Sequence, residues 1–355
     1  MKALIAMSGG VDSSVAALMM KEKGYECIGC TMKLYANEDI GVCDSHTCCS
    51  LDDVEDAKAV ARRLGMPHHT FNFQDKFRET VIDDFIYCYE NGMTPNPCIE
   101  CNKNMKFDEL YRRAEILGCE KIVTGHYARI RKTDNGYQLL KGLDPNKDQS
   151  YVLYAMTQKE LAHTEFPLGE ISKDEVRKIA ESHDFLNANK PDSQDICFVP
   201  DGDYVSALKR FTGKEYAPGD FVDQDGNVMG THKGIVGYTI GQRKGLGISA
   251  EHPLYVTALD VPNNRVVLGK NEDLFTTTTI VKNINWIDPT DDRPTFKCKA
   301  KVRYRMTEQP CTVERLDATS AKIVFDEPQR AITPGQAAVF YDGDVVLGGG
   351  TILRD

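Results

Sequence analysis

Residues 8–14 combine two glycines, three serines and an aspartate in a stretch that could bind a phosphorylated ligand. The apolar residues before this loop read as a buried strand and those after it as a helix, so the loop lies at a helix N-terminus. Backbone N–H groups and the helix dipole favour an anion there, and Gly9 and Gly10 let the backbone approach it. The loop lacks the lysine of a Walker-type loop, whereas Asp12 suits a Mg²⁺ bound to pyrophosphate. A plain helix-capping turn is the alternative interpretation.

Two cysteines, Cys98 and Cys101, have Cys-x-x-Cys spacing just before a predicted helix. A thiol near a helix N-terminus ionises more readily, so this pair could supply a nucleophile. The prolines that precede it stiffen a loop that must present side chains. The alternatives are buried thiols or half of a zinc site, which needs two further ligands. Nearby residues could supply those ligands: Cys43, His46, Cys48 and Cys49.

A third candidate thiol, Cys197, follows a charged, turn-like stretch. It lies close to residue 200, after which the predicted helices give way to short alternating runs. Taken alone, such a cysteine is more typical of a core than of a catalytic site. Four other cysteines lie in strand-like or helix-like stretches and are predicted to be core residues: Cys27, Cys30, Cys88 and Cys119.

Residues 297–305 alternate basic side chains with mostly apolar ones. On a single β-strand the five basic side chains would share one face and could follow several phosphates of a nucleic acid. The alternative is an edge strand that its lysines protect from pairing. The basic residues are Lys297, Lys299, Lys301, Arg303 and Arg305.

The composition of the chain limits where such chemistry can take place. Its 355 residues predict two or three domains. There is no apolar run of about 20 residues and no signal-peptide pattern at the N-terminus, so we expect a cytoplasmic protein without a membrane segment. In a reducing compartment its 12 cysteines favour catalysis or metal binding over a disulfide framework. The net charge of −10 argues against a generally basic nucleic-acid binder.

Hydrophobic periodicity predicts the elements that carry these residues. Strands are predicted at 2–7, 25–32, 68–73 and 121–125, and helices at 12–23, 51–65, 75–90, 103–117 and 172–183. Ser172 and Glu175 form a capping box for the last of these helices. The alternation predicts an α/β domain with a parallel sheet, whereas short alternating runs after about residue 200 predict an all-β remainder. We therefore expect a catalytic domain over 1–200, a small β-rich domain over 201–275 and a C-terminal β-barrel over 276–355.

The loop at 8–14 resembles the PP-loop of ATP pyrophosphatases, which cleave ATP between the α- and β-phosphates. Further motifs follow it in order along the whole chain, and together they resemble the family of tRNA-specific 2-thiouridylases of the bacterial and organellar type. The motifs are TPNPCIECN (94–102), TGHYAR (124–129), GLDPNKDQSY (142–151), DICF (195–198), TIGQRKGLGI (239–248), RYR (303–305) and TPGQAAVFY (333–341).

The resemblance implies a reaction with ATP and Mg²⁺ in which the C2 oxygen of a tRNA wobble uridine is adenylated. It makes Cys101 the nucleophile that faces the uridine, and Cys197 the residue that receives sulfur as a persulfide from a cysteine desulfurase or sulfur carrier. The persulfide sulfur attacks C2, AMP leaves, and Cys101 and Cys197 end as a disulfide that a reductant reopens. The implied ATP-binding residues are Ala6, Met7, Ser8, Gly9, Gly10, Val11, Asp12, Ser13, Met32 and Gly125.

The resemblance also implies that the substrate is tRNA for lysine, glutamate or glutamine, with the target base flipped out of its stack. The residues implied to meet the flipped base are Asn96, Pro97 and Cys98. The residues implied to contact the rest of the tRNA are His126, Lys147, Asp148, Gln149, Arg303, Tyr304 and Gln336.

Cys98 departs from the family pattern, in which this position is often aspartate. Cys98, Cys101 and Cys197 could instead hold a four-iron cluster whose open iron binds hydrosulfide, an alternative route for the sulfur. Two other functions are compatible with part of the sequence. A PP-loop amide or amine ligase would explain the loop but not the cysteines, and a metal-stabilised RNA-binding module would bind tRNA without forming AMP.

Overall fold

The computed structural model describes residues 1–36, 40, 51–188, 190 and 196–353. Seven strands precede residue 166: β1 Lys2–Ala6, β2 Glu26–Lys33, β3 His68–Asn72, β4 Lys121–Val123, β5 Ala128–Thr133, β6 Gly136–Lys141 and β7 Thr164–Glu165. Five of them form a parallel sheet in the order β3-β2-β1-β4-β7. The predicted parallel α/β domain is therefore confirmed, with the apolar β1 at its centre.

Nine α-helical segments occur in the described part of the chain: α1 Val11–Glu22, α2 Leu51–Arg63, α3 Gln74–Phe77, α4 Asp83–Glu90, α5 Pro97–Glu100, α6 Leu110–Ile116, α7 Gln158–Ala162, α8 Lys173–Ser182 and α9 Tyr204–Thr212. Short 3₁₀ turns lie at Ser150–Leu153, Pro167–Glu170, Ile235–Gly237 and Asn271–Leu274. The predicted capping box of α8 is confirmed, because Ser172 and Glu175 bond each other's backbone N–H groups. None of the helices described is both long and apolar enough to cross a membrane.

Two of the helices are longer than their α-helical parts. π-helical turns at Arg78–Ile82 join α3 to α4, and π-helical turns at Cys101–Glu109 join α5 to α6. The second helix was predicted to begin at residue 103, but it begins at Pro97, because proline at the first helical position needs no N–H partner and has a helical φ. Cys98 and Cys101 therefore lie within the first turns of the helix and not before it.

The central part of the chain is a small sheet preceded by a helix. Its strands are β8 Gly219–Val222, β9 Val228–His232, β10 Tyr255–Asp260 and β11 Arg265–Gly269, in the order β10-β11-β8-β9. The prediction that everything after residue 200 is β-structure is wrong at α9. The side chain of Asp203 accepts the Ser206 N–H at the start of α9, and Gly213 ends this helix at φ +66°. These two residues are the sequence signals that could have identified it.

The C-terminal part is a closed barrel of six strands. These are β12 Phe275–Trp286, β13 Thr295–Lys301, β14 Gln309–Arg315, β15 Ala321–Arg330, β16 Ala337–Asp342 and β17 Val345–Ile352. Their order is β12-β15-β14-β13-β16-β17, and β12 pairs with β17 to close the barrel. The predicted β-barrel is confirmed, and its closure leaves no free edge among these six strands.

The β5–β6 hairpin links the first domain to the barrel, a connection that the sequence did not predict. Val345 of β17 pairs with Leu140 of β6, so the hairpin extends the barrel sheet outward. Lys141 of β6 also forms an ion pair with Glu308, with the Nζ 2.7 Å from Oε2. The domain that carries the loop at 8–14 is thereby attached to the barrel by a strand pairing and by an ion pair.

The predicted basic strand over 297–305 is only partly correct. β13 ends at Lys301, and the chain turns through residues 302–306 before β14 begins. Lys297 and Lys299 are exposed on the strand, but the side chain of Lys301 is largely buried beside Asp148. A period of two cannot reveal where a strand ends, so Arg303 and Arg305 do not continue the stripe.

Three consecutive glycines, residues 348–350, allow β17 to lie close to both of its neighbours. A Cβ on Gly350 would lie 2.5 Å from the Lys282 carbonyl oxygen of β12. We predict that Gly350→Ala lowers the free energy of unfolding by about 1–3 kcal/mol through overpacking, as measured by urea unfolding. Gly343→Ala is the control, since its Cβ would meet nothing within 4 Å although its φ is +58°. A smaller loss for Gly350→Ala than for Gly343→Ala would contradict this account of barrel closure.

Candidate active site

The loop at 8–14 is closed by its own hydroxyl groups. Ser13 and Ser14 donate to the Gly10 carbonyl oxygen over 3.0 and 3.1 Å, and the Ser8 N–H donates to Ser13 Oγ over 3.2 Å. Gly9 has φ +78°, a conformation that favours glycine. Ser8 is exposed while Gly9 is buried, so the rim of the loop faces solvent at the N-terminus of α1. This geometry is that of an anion-binding loop.

Neighbouring segments support the loop from three sides. A Cβ on Gly9 would lie 2.4 Å from the Asp53 carbonyl oxygen, and one on Gly125 would lie 2.9 Å from the backbone of Asp12, so both contacts require glycine. Asn187 donates to the Gly9 carbonyl oxygen over 2.8 Å. Its own Oδ1 is buried without a partner among the described residues. No sequence pattern indicated Asn187, because a single asparagine after a helix has no period or spacing.

The carboxylate of Asp12 is bonded to the side chains of Lys173 and Tyr127. Its carboxylate oxygens lie 2.7 and 2.8 Å from the Nζ of Lys173, and the Tyr127 hydroxyl donates to its Oδ1 over 2.7 Å. Lys173 is the first residue of α8 and is only 5% exposed. A lysine thus reaches the end of the loop from a helix 161 residues later. Sequence analysis missed it because nothing in the local pattern distinguishes Lys173 from a surface lysine.

Most of the other residues implied to bind ATP lie at or just after the carboxyl ends of β1, β2 and β4, and Val11 is the first residue of α1. Met7 and Val11 are buried, whereas Ala6, Met32 and Gly125 are half-buried. Met7 is fixed by its own backbone, since its N–H donates to the Cys30 carbonyl oxygen over 2.7 Å. The carboxyl ends of parallel strands are where open α/β sheets bind ligands.

The segment before Cys98 is held by both of the other domains. The Thr94 N–H donates to the Pro334 carbonyl oxygen over 2.8 Å, and Gln336 Nε2 donates to the Thr94 and Pro95 carbonyl oxygens over 2.8 and 3.1 Å. Thr94 Oγ1 also lies 3.4 Å from the Thr239 hydroxyl of the central domain. The start of the helix with the two cysteines therefore depends on contacts from elsewhere in the chain.

Cys197 is positioned by an aromatic cluster. Its neighbour Phe198 is buried edge-on against Phe77 and Phe85, with ring centroids 5.7 and 5.2 Å apart, and the Tyr35 hydroxyl donates to the Cys197 carbonyl oxygen over 2.9 Å. Cys101 and Cys197 are both half-buried and pack against the same hydrophobic cluster. All nine cysteines in the described ranges are thiols here, not disulfides.

The metal alternatives find no ligand set in the part of the chain that the structure describes. There, no three His, Cys, Asp or Glu side chains lie close enough together to hold a metal ion. Cys98, Cys101 and Cys197 are among the residues searched, and they form no such group. The zinc alternative also involves four residues outside the described ranges, namely Cys43, His46, Cys48 and Cys49.

Tyr304 brings the barrel to the predicted base site. Burial, followed by the charges of Asp148 and Cys98, raises the pKa of its hydroxyl, which donates to the Asp148 carbonyl oxygen over 3.4 Å. The side chain is still 39% exposed. An aromatic ring that is partly open to solvent could stack on an unpaired base.

Several other residues implied to contact tRNA are engaged within the protein. Arg303 donates to the Ala331 carbonyl oxygen over 2.6 Å, and burial lowers its pKa. The Asp148 carboxylate accepts from the backbone N–H groups of Gly142 and Ser150, and Gln149 bonds the backbone of Tyr127. Lys147 and Asn96 are half-buried, and Pro97 is buried. These contacts shape the loop at 142–150.

His126 is a buried, neutral histidine. It is 7% exposed, with Nε2 3.3 Å from Lys106 Nζ and Nδ1 2.7 Å from Thr124 Oγ1. An ammonium group can only donate, so Nε2 accepts and the Nδ1–H donates to Thr124. Burial, and then the charge of Lys106, hold the pKa of His126 well below its usual value of 6.5.

We predict that His126 makes the protein less stable in acid. The unfolded chain takes up a proton as the pH falls through about 6.5, whereas folded His126 does not, so its contribution lowers stability by about 1.4 kcal/mol per pH unit below that point. His126→Gln, whose amide oxygen can still accept from Lys106, should reduce the slope of unfolding free energy against pH by one proton. The measurement is urea unfolding between pH 7.5 and 5. The exposed His252→Gln is the control, and an unchanged slope in His126→Gln would contradict the prediction.

We also predict that Gln336 keeps the segment before Cys98 ordered. Gln336→Ala removes both side-chain bonds to this segment, so amide hydrogen exchange should rise over residues 94–101 and remain unchanged in β12 and β15. Gln309→Ala is the matched control, because the Gln309 amide bonds only to the nearby Thr307 carbonyl oxygen. Equal exchange over 94–101 in the two variants would rule out this role.

Comparisons with known proteins agree with this geometry. Residues 1–201 match the model of a tRNA methyl transferase HUP domain, 206–270 that of a tRNA methyl transferase PRC-barrel domain and 276–352 that of an aminomethyltransferase β-barrel domain.

The chain is 49% identical to the tRNA-specific 2-thiouridylase MnmA of Clostridioides difficile, covering 99% of this chain and 98% of that protein. It is 48% identical to the protein of the same name from Magnetococcus marinus, with 98% of each chain covered. A solved 4-thiouridine synthetase–RNA complex with bound ATP superposes only weakly, with a TM-score of 0.37 and 20% identity over 60% of this chain and 50% of that one. The chain therefore belongs to the family of tRNA-specific 2-thiouridylases.

Proposed function

We propose that this protein catalyses the ATP-dependent 2-thiolation of the wobble uridine in tRNA for lysine, glutamate and glutamine. The observation that carries the proposal is the placement of two half-buried thiols, Cys101 and Cys197, on one hydrophobic cluster of the domain that holds an anion-binding loop. Full-length relatives that are nearly half identical are named for this reaction. Since the substrate is tRNA, the enzyme acts in the cytoplasm.

The loop at 8–14 binds the phosphates of ATP through backbone N–H groups at the N-terminus of α1. The uridine C2 oxygen attacks the α-phosphorus, and pyrophosphate leaves. Asp12 would be the carboxylate that holds a Mg²⁺ bound with ATP, and the ion would neutralise the charge that develops on pyrophosphate.

The sulfur step uses the two thiols in turn. Cys197 carries a persulfide received from a cysteine desulfurase or a sulfur carrier, and its outer sulfur attacks C2 as AMP leaves with the former uridine oxygen. The Cys101 thiolate then attacks Cys197 Sγ, which breaks the sulfur–sulfur bond and releases 2-thiouridine. Cys101 and Cys197 end as a disulfide, and a dithiol reductant restores them.

The target base enters between the barrel and the helix that bears Cys98 and Cys101. Asn96, Pro97 and Cys98 meet the flipped uridine, and the partly exposed ring of Tyr304 stacks on an unpaired base. The exposed Lys297 and Lys299 of β13 contribute positive charge for the tRNA backbone. Residues with partners inside the protein, including His126, Asp148, Gln149, Arg303 and Gln336, act mainly by shaping the surface that the tRNA meets. Lys147 contacts the tRNA from the loop that they shape.

We predict that single cysteine substitutions separate adenylation from sulfur transfer. Cys197→Ala should abolish 2-thiouridine but retain tRNA-dependent ATP–pyrophosphate exchange, because adenylation precedes sulfur transfer. Cys101→Ala should lower multiple-turnover thiolation by at least about 10³-fold, since no Cys101 thiolate then breaks the sulfur–sulfur bond that joins Cys197 to the product. The core variant Cys119→Ala is the control. Full thiolation by Cys197→Ala would exclude the persulfide route.

The metal content of the active protein distinguishes the persulfide route, which needs no iron, from the iron–sulfur alternative. We expect protein purified without oxygen to thiolate tRNA when it is free of iron and supplied with a persulfide donor. The measurement pairs iron and zinc analysis with the thiolation assay, in wild type and in Cys98→Ala. About four irons per chain, lost together with activity in Cys98→Ala, would show that a cluster delivers the sulfur.

A further inference from the structure

Lys106 places an ammonium group between the candidate nucleophile and the segment that packs on the phosphate-binding loop. It belongs to the π-helical turns at Cys101–Glu109. Hydrogen bonds in a π-helix join residues five apart, so Lys106 lies one turn after Cys101. Its Nζ lies 3.3 Å from Nε2 of His126, which directly follows Gly125. The lysine is half-buried, so its ammonium group is partly removed from water and still open to a ligand.

His126 is fixed by its surroundings and has no polar atom left for a ligand. Its ring lies against Phe107 and Phe166, with ring centroids 6.2 and 5.8 Å away. The Nδ1–H donates to Thr124, and Nε2 accepts from Lys106. Both ring nitrogens are therefore used inside the protein, and Lys106 is the polar group that lies over the histidine.

The charge of Lys106 has no carboxylate to balance it in the part of the chain that the structure describes. There, no Asp or Glu oxygen lies within 4.0 Å of its Nζ. The next carboxylates along the helix, Asp108 and Glu109, both pair with Arg112. His126 takes one of the three N–H donors of the ammonium group but is neutral and offers no negative charge. Since a cation that is partly buried without an anion is unfavourable, the position suits an anionic ligand.

The place of Lys106 in the fold favours phosphate as this anion. Gly125 packs against the start of α1, where a Cβ on it would lie 2.9 Å from the Asp12 carbonyl carbon. Lys106 therefore contacts the residue next to the wall of the loop and follows Cys101 by one turn of the helix. In the proposed reaction, the α-phosphate joins the nucleotide in the loop to the uridine that faces Cys101. Lysine is a common point charge for phosphate groups.

We propose that Lys106 binds a phosphate group between the loop at 8–14 and the helix that bears Cys101, with the α-phosphate of ATP and of the adenylated uridine as its ligand. The backbone phosphate of the flipped nucleotide has the same chemistry and is the other source, which the experiment distinguishes. This inference deepens the proposed function and rests on it. It gives Lys106 the ligand contact that the family resemblance implies for His126, and His126 positions the lysine.

The first arm of the test measures nucleotide binding to the full-length protein by isothermal titration calorimetry, with Mg²⁺ and without tRNA. Lys106→Gln keeps an N–H that can donate to His126 but removes the charge. It should weaken the binding of ATP and of AMP by about 10-fold or more, the loss expected for a charge-assisted hydrogen bond. Adenosine has no phosphate, so its affinity should change by less than about two-fold. Lys103→Gln, at an exposed lysine of the same helix, is the control.

The second arm measures tRNA binding without nucleotide over a range of salt concentrations, in the same two variants. If the tRNA backbone supplies the phosphate, Lys106→Gln should leave the nucleotide affinities unchanged. It should then reduce the slope of log K against log salt by about 0.7 to 0.9, the value for one lost phosphate contact. That result would support the phosphate site and assign it to tRNA.

A purely structural role for Lys106 would give a different pattern. No change in either arm, or an equal loss for adenosine and AMP, would overturn the proposal. A loss in Lys106→Met that is absent in Lys106→Gln would also overturn it, because only the hydrogen bond to His126 would then matter. If Lys106→Gln does not fold, Lys106→Arg keeps the charge and should retain the wild-type ratio of AMP to adenosine affinity, and a changed ratio would contradict the proposal. Wild-type protein that binds ATP and tRNA but forms no 2-thiouridine would contradict the proposed function and leave the phosphate site intact.

Discussion

The contact between Asp12 and Lys173 connects the parts of the first domain that must act together. It joins the N-terminus of α1, where the phosphate-binding loop ends, to the N-terminus of α8, and the Tyr127 hydroxyl adds the segment after β4. A polyanion at the loop would lie near a buried ammonium group and the N-termini of two helices. Through Lys173 and Tyr127 the loop is in contact with α8 and with the loop at 142–150.

The two candidate reactive thiols lie in the first domain, but the segment before Cys98 is positioned by contacts with the other two domains. The segment before Cys98 is bonded to the barrel through Pro334 and Gln336, and Tyr304 bonds the Asp148 carbonyl oxygen of the first domain. The β5–β6 hairpin joins the barrel sheet through Leu140 and Val345. The helix that bears Cys98 and Cys101 and the barrel therefore form one connected surface.

Sequence reasoning succeeded where the signal was local. The glycines of the loop, the periodic helices and the Ser172 capping box each depend on neighbouring residues. The alternation of strands with helices predicted the parallel sheet, and the short alternating runs after about residue 200 predicted the β-structure that follows it. It failed where the decisive contact is distant or where an element ends without a pattern. Lys173 and Asn187 reach the loop from more than 150 residues away, and the basic strand stops at Lys301 although its period continues. The helix that bears Cys98 begins at Pro97, because the proline that suggested a loop also suits a first helical residue.

The central claim is that ATP converts the uridine oxygen into a leaving group on AMP, and oxygen labelling tests this most directly. A tRNA that carries ¹⁸O at C2 of the wobble uridine would be thiolated with unlabelled ATP in unlabelled water, and the nucleotide product examined by mass spectrometry. The account predicts one ¹⁸O in AMP for each 2-thiouridine formed, and none in pyrophosphate. Recovery of the label in water, with unlabelled AMP or with ADP as the product, would contradict it.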